Sequence, residues 1–167
     1  MKKFAMLVAA VMTTATLSAQ TSTKKDVLET ARSANNYFMA KYADPTVPTN
    51  VKRIRPSSLW TRAVYYEGLM ALNTIDPQKR YIDYTDRWAS FHKWTPRNGT
   101  KTRDADDQCC SQTYLERFMM TGDSTMLFPT RENLRGQMAE TKIGYWTWID
   151  AIQMAMPVYA QMYKITG

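Results

Sequence analysis

Apolar residues along this chain recur in steps of three and four, the spacing of a single helix face. Between Thr23 and Tyr42 the stripe is Val27, Leu28, Ala31, Ala34, Tyr37, Phe38 and Tyr42. Asp44-Pro45 closes that helix, because proline disfavours helical backbone in the residue before it. Pro45, Pro48 and Pro56 then bracket a loop that carries Lys52, Arg53 and Arg55. A second helix is predicted over residues 59–73, with Trp60, Val64, Leu69 and Leu72 inward. A third covers about 79–94, with Tyr81, Tyr84, Trp88 and Phe91 on its stripe. Thr95-Pro96 and Asn98-Gly99 break the chain again. A fourth helix is predicted from Asp107 to Met120, carrying Tyr114, Leu115, Phe118 and Met119. The stretch after Asp123 is only weakly periodic, and a last helix runs from Asp150 to about Ile165. No alternating run of useful length argues for a strand, so the fold class is all-α.

The helices have a rhythm. Leu69–Asp76, Leu115–Asp123 and Tyr159–Gly167 each end a helix on a turn, spaced by roughly 45 residues, the size of a helical hairpin with its connections. Hairpins of that kind bury their apolar faces on one another, which predicts an α/α array or barrel. The third copy stops at Thr166-Gly167, where a partner helix is expected, so the sequence reads as cut short.

The first residues belong to a different class. Lys2 and Lys3 precede an apolar run from Phe4 to Met12, and Leu17-Ser18-Ala19 supplies a small-residue end. That order is a secretory signal peptide over residues 1–19, with cleavage expected after Ala19. The run is shorter than the roughly 20 residues that span a bilayer, and no Cys lies near the cut. Export to the periplasm or exterior without a membrane anchor is the expectation, with residues 20–167 as one domain.

Charge narrows the partners. Lys and Arg total 22 against 15 acids, a formal charge of +7, which suits an anionic ligand. The basic residues are scattered and form no recognition helix, so nucleic acid is disfavoured. A single His excludes a metal site of several His ligands, and His92 reads as a surface or satisfied residue. Cys109 and Cys110 are adjacent and read as buried helix residues, since neighbours rarely meet disulfide geometry. No phosphate-binding glycine loop, nucleophile elbow or zinc motif is present.

Two places carry candidate chemistry. Asp104, Asp106 and Asp107 cluster just before a helix, where acids cap helices well, and where mutual repulsion raises at least one pKa towards general acid work. Asp150 opens the last helix directly behind Trp146 and Trp148. With Gln153 it has the spacing of a capping box, and the alternative is a carboxyl held against aromatic rings. Exposed Trp faces also stack on the C–H faces of sugars.

Taken in order, Trp60 with Tyr66-Glu67-Gly68-Leu69, Ala105-Asp106-Asp107-Gln108 with Gln112-Thr113-Tyr114-Leu115, Thr121-Gly122-Asp123, and Trp146-Thr147-Trp148-Ile149-Asp150-Ala151 with Met154-Ala155-Met156-Pro157 form one pattern. It resembles the N-terminal part of glycoside hydrolase families 88 and 105, the unsaturated glucuronyl and rhamnogalacturonyl hydrolases. The pattern departs at Ser111, where the family has Gly, and the residue there is expected to narrow close packing. The resemblance implies an (α/α)6 barrel, of which this sequence would be about half with an open apolar flank, acting without a cofactor or metal on acidic oligosaccharides from pectin or rhamnogalacturonan. It implies hydration of a 4,5-unsaturated uronate, with Asp150 as the general acid and either Asp106 or Asp107 assisting. Trp60, Trp146 and Trp148 would be wall residues for the sugar. The alternative is a noncatalytic helical-repeat carbohydrate-binding module, or an inactive truncated product.

Overall fold

The computed structural model describes residues 22–142 and 144–167; the predicted leader lies outside them. Seven helices carry the described chain: α1 (Lys24–Lys41), α2 (Trp60–Ile75), α3 (Lys79–Phe91), α4 (Ala105–Gln108), α5 (Ser111–Thr121), α6 (Phe128–Met138) and α7 (Asp150–Thr166). α2, α5 and α7 stand side by side, α1 and α3 pack on α2, and α4 packs against α7. This is an arc of helical hairpins, as the rhythm of the sequence predicts. Gly122, at φ 74, adopts the left-handed conformation that ends α5.

Aromatic packing holds the arc together. Tyr66 of α2 stacks on Trp88 of α3 with ring centroids 3.7 Å apart, and Tyr114 of α5 closes on the same indole at 5.4 Å. All three are fully buried. Each such pair adds roughly 0.5–1.5 kcal/mol beyond the area it buries. Trp94 joins them edge-on to Tyr114 at 5.6 Å. To place it there, Lys93 and Trp94 both take positive φ, so α3 ends at Phe91, earlier than expected, and leaves Phe91 exposed. A second apolar cluster of Leu115, Leu127, Leu134, Val158 and Met162 seals α5 against α6 and α7.

Three departures from the expected pattern have physical causes. Thr49–Val51 and Arg53–Arg55 form a two-stranded antiparallel hairpin with Lys52, at φ 60, at its tip. Strands of three residues are too short for alternation to register. The one helix expected over 107–120 is two: Asp104 caps α4, accepting from the Asp106 amide at 3.1 Å, and a turn at Cys109-Cys110, expected within the helix, separates it from α5. α6 leaves little apolar period in the sequence because the face it buries is polar: Thr130, Asn133 and Gln137 beside Leu134. Ser111 is fully buried at the start of α5, its hydroxyl without a hydrogen-bond partner among the described residues, and Cys109 and Cys110 are buried free thiols. Ile149 at its N-cap and Ile152, Met156 and Tyr163 along its outward side leave an exposed apolar strip on α7.

His92 is a satisfied residue. Its Nε2 lies 2.7 Å from the hydroxyl of Ser57, which itself donates to the Thr46 carbonyl. Burial first, and then Arg62, push His92 down from 6.5 to about 4. Between those values the unfolded chain takes up a proton that the folded chain refuses, so this residue's contribution to stability falls as pH drops through the window. The stability advantage of wild type over His92→Gln should therefore shrink from pH 6.5 to pH 4 in denaturant titrations. A constant difference across that range would contradict the assignment.

Candidate active site

A cleft of about 570 Å³ opens where the N-termini of α4 and α7 come together. Asp106 and Asp150 both line it, with Trp60, Trp146 and Trp148 around them and Arg103 and Lys142 at the same opening. Residues as far apart in the chain as Trp60 and Met154 thus share one hollow, from α2, the loops before α4 and α7, and those two helix starts.

Adjacent residues in a helix point in different directions, and the two members of the acidic pair go separate ways. Asp107 turns inward and is almost fully buried. Arg97 Nη2 meets its Oδ1 at 2.6 Å, while Asn98 Nδ2 and Thr102 Oγ1 donate to Oδ2 at 3.0 and 2.6 Å. That carboxylate ties down the loop over residues 97–102 and does not line the cleft. Asp106 faces the opening. Partial burial, and then the negative charges of Asp104, Asp150 and Asp107, hold its carboxyl above the ordinary value, with Arg97 opposing.

The loop before α4 is fixed from a second side. Gln108 Nε2 donates to Asn133 Oδ1 at 2.8 Å and to Gln137 Oε1 at 2.7 Å. Asn133 passes the connection on, donating to the carbonyls of Thr100 and Thr102 at 2.9 and 2.7 Å. The polar buried face of α6 is therefore a scaffold for the acidic loop.

Asp150 occupies the first turn of α7, exposed, and among the described residues no hydrogen bond or ion pair engages its carboxyl. The capping box expected with Gln153 does not form. Ile149 holds the N-cap position, and Gln153 instead donates through Nε2 to Glu67 Oε2 at 2.8 Å. Glu67 takes a second bond from the Cys109 thiol at 3.1 Å, and burial raises its carboxyl. Burial likewise raises Glu116, with Glu67 adding to the effect.

Of the three tryptophans, Trp60 and Trp146 are half-buried against the core, and Trp146 meets Tyr159 edge-on at 5.9 Å. Trp148 stands at the rim, 79% exposed. Reading the sequence did not single out Arg103 or Lys142. Arg103 is braced by Glu140 at 2.8 Å and by the Thr102 carbonyl at 2.8 Å. Its guanidinium crosses α6 at Gly136, where a Cβ would lie 2.8 Å from Nη2. The glycine within α6 was the available signal for that close approach.

The two aspartates should respond differently to loss of charge. Asp107→Asn strands Arg97 beside a buried amide and should cost about 2–4 kcal/mol of unfolding free energy. Asp106→Asn relieves repulsion and should leave stability unchanged or slightly raised. Denaturant titration of both variants checks this; equal destabilisation would mean that both carboxylates are structural.

Among solved structures, a glycosyl hydrolase family 88 protein from Bacteroides vulgatus matches with a TM-score of 0.75 and 29% identity, over 87% of this chain and 43% of its own. A polysaccharide lyase matches with a TM-score of 0.74 at 23% identity, over 87% of this chain and 42% of that one, and shares the fold. The chain spans less than half the length of either. No curated protein sequence matches it. The model of Glycosyl Hydrolase Family 88 matches residues 30–167, a span that takes in every residue of the cleft. The chain belongs to glycosyl hydrolase family 88.

Proposed function

We propose that this chain carries the proton-transfer half of the active site of an exported hydrolase that cleaves unsaturated uronyl oligosaccharides derived from pectin or rhamnogalacturonan. The observation that supports it most is the meeting of Asp106 and Asp150 in one aromatic-walled cleft that also holds two cations. An acidic sugar needs each of these. The indole faces of Trp60 and Trp146 offer apolar surface to a pyranose ring, and Trp148 extends that surface at the rim. Lys142 and Arg103 offer positive charge to the uronate carboxylate. No cofactor is required for the chemistry.

The reaction begins with proton transfer from the Asp150 carboxyl to C4 of the C4=C5 double bond, which places positive character on C5 and its ring oxygen. Water adds at C5 and returns a proton to the Asp150 carboxylate, so the catalyst is regenerated. The hemiketal so formed opens, and the glycosidic bond breaks with release of the leaving sugar. Asp106 orients the water or the substrate from the opposite helix end. This route differs from two-carboxylate hydrolysis at the anomeric carbon.

Asp150→Asn in the intact protein should reduce turnover of an unsaturated uronyl disaccharide by roughly 10²–10⁴-fold, the usual contribution of a positioned acid–base group. Loss of the substrate's ultraviolet absorbance is the readout. Undiminished turnover in the variant would remove Asp150 from this role. Saturable binding of the disaccharide by wild type with no absorbance change would replace catalysis with carbohydrate binding.

A further inference from the structure

Proline inside a helix lacks the N–H that would bond to the carbonyl four residues back, and its ring crowds that carbonyl. Pro157 lies within α7, so the carbonyl deprived of its donor belongs to Gln153, three residues after Asp150. A side chain from a different helix fills the place. Gln112 of α5 directs its Nε2 to the Gln153 oxygen at 2.9 Å and to the Met154 oxygen at 3.1 Å. Gln112 is only 7% exposed. The same turn of α7 is held from the α2 side, where Gln153 Nε2 reaches Glu67. The start of α7 is thus gripped through its backbone by one helix and through a side chain by another.

We infer that Gln112 is a positioning residue for Asp150: it stands in for the amide that Pro157 lacks and so fixes how the first turn of α7 presents its carboxylate to the cleft. The inference rests on the reading of Asp150 as the proton donor. A helix opened at a proline is free to bend there. Without an external donor, its N-terminal turn moves relative to α4, where Asp106 is fixed. Placing the replacement donor on α5 makes the separation of the two carboxylates depend on packing between α5 and α7 rather than on α7 alone.

The test is a double-mutant cycle between Gln112→Met, which keeps the volume and removes the donor, and Pro157→Ala, which restores the backbone N–H. For the unsaturated disaccharide, Gln112→Met should lower kcat roughly 10- to 100-fold, the cost of a misplaced reacting group, with KM changed less than about threefold. Pro157→Ala alone should stay close to wild type. In its presence, Gln112→Met should cost less than about threefold, because the helix now supplies its own donor. Hydrogen exchange over residues 151–158 gives a readout independent of catalysis. Exchange should quicken in Gln112→Met and slow again in the double variant. Should Gln112→Met fail to fold, the double variant is expected to fold and turn over. Equal losses of kcat and equal exchange with and without Pro157→Ala would overturn the inference, as would failure of both variants to fold. If exchange shows the coupling while wild type leaves the disaccharide intact, the strut stands and the reaction assigned to the cleft falls.

Discussion

One buried carboxylate sets the geometry of this cleft. Successive residues in an α-helix point about 100° apart, so fixing one side chain also aims its neighbour. Asp107 is fixed by Arg97, Asn98 and Thr102 on the inner side of α4, and Asp106 has no direction left except the cleft. The two acids are chemically identical, and their partners decide the difference between them. Asp107 is compensated by a cation and two donors. Asp106 is partly buried and lies near the charges of Asp104, Asp150 and Asp107, which is why its proton is held more tightly than in water.

The opposite wall of the cleft is built by a different device. α7 carries a helix-breaking residue about two turns in from Asp150, and a neighbouring helix repairs it. A polar network on α6 braces the acidic loop, and a polar contact from α5 braces the start of α7. The aromatic stack of Tyr66, Trp88 and Tyr114 beneath them keeps α2, α3 and α5 at fixed spacing. Carboxylates held on helix starts, rather than on long loops, have few ways to drift.

Much of this was legible in the sequence. The stripes of Tyr81, Tyr84 and Trp88, and of Leu69 and Leu72, repeat every three or four residues because those helices bury apolar faces. Trp60, Trp146, Trp148, Asp106 and Asp150 were singled out as candidates, and the fold gathers all five around one hollow. What escaped was whatever depends on partners distant in sequence. By sequence Asp106 and Asp107 are equivalent; Arg97 and Thr102, which claim Asp107, make the difference. α6 buries amides and a threonine, so hydropathy carries little trace of its period. Asp150 and Gln153 fit a capping box by spacing, yet Glu67, on a helix 86 residues away, competes for the glutamine and wins. Arg103 and Lys142 sit in loops whose convergence no local pattern encodes.

The central claim is that folding brings Asp106 and Asp150 to one aromatic-walled cleft, near enough for charge on one to affect the other, and a carbon-detected NMR titration of the Asp106 carboxyl tests it most directly. In wild type, Asp106 should titrate above the ordinary 3.8. In Asp150→Asn it should move down towards that value without reaching it, because burial and the charges of Asp104 and Asp107 remain. Titration at the ordinary carboxylate value in both proteins would contradict the account.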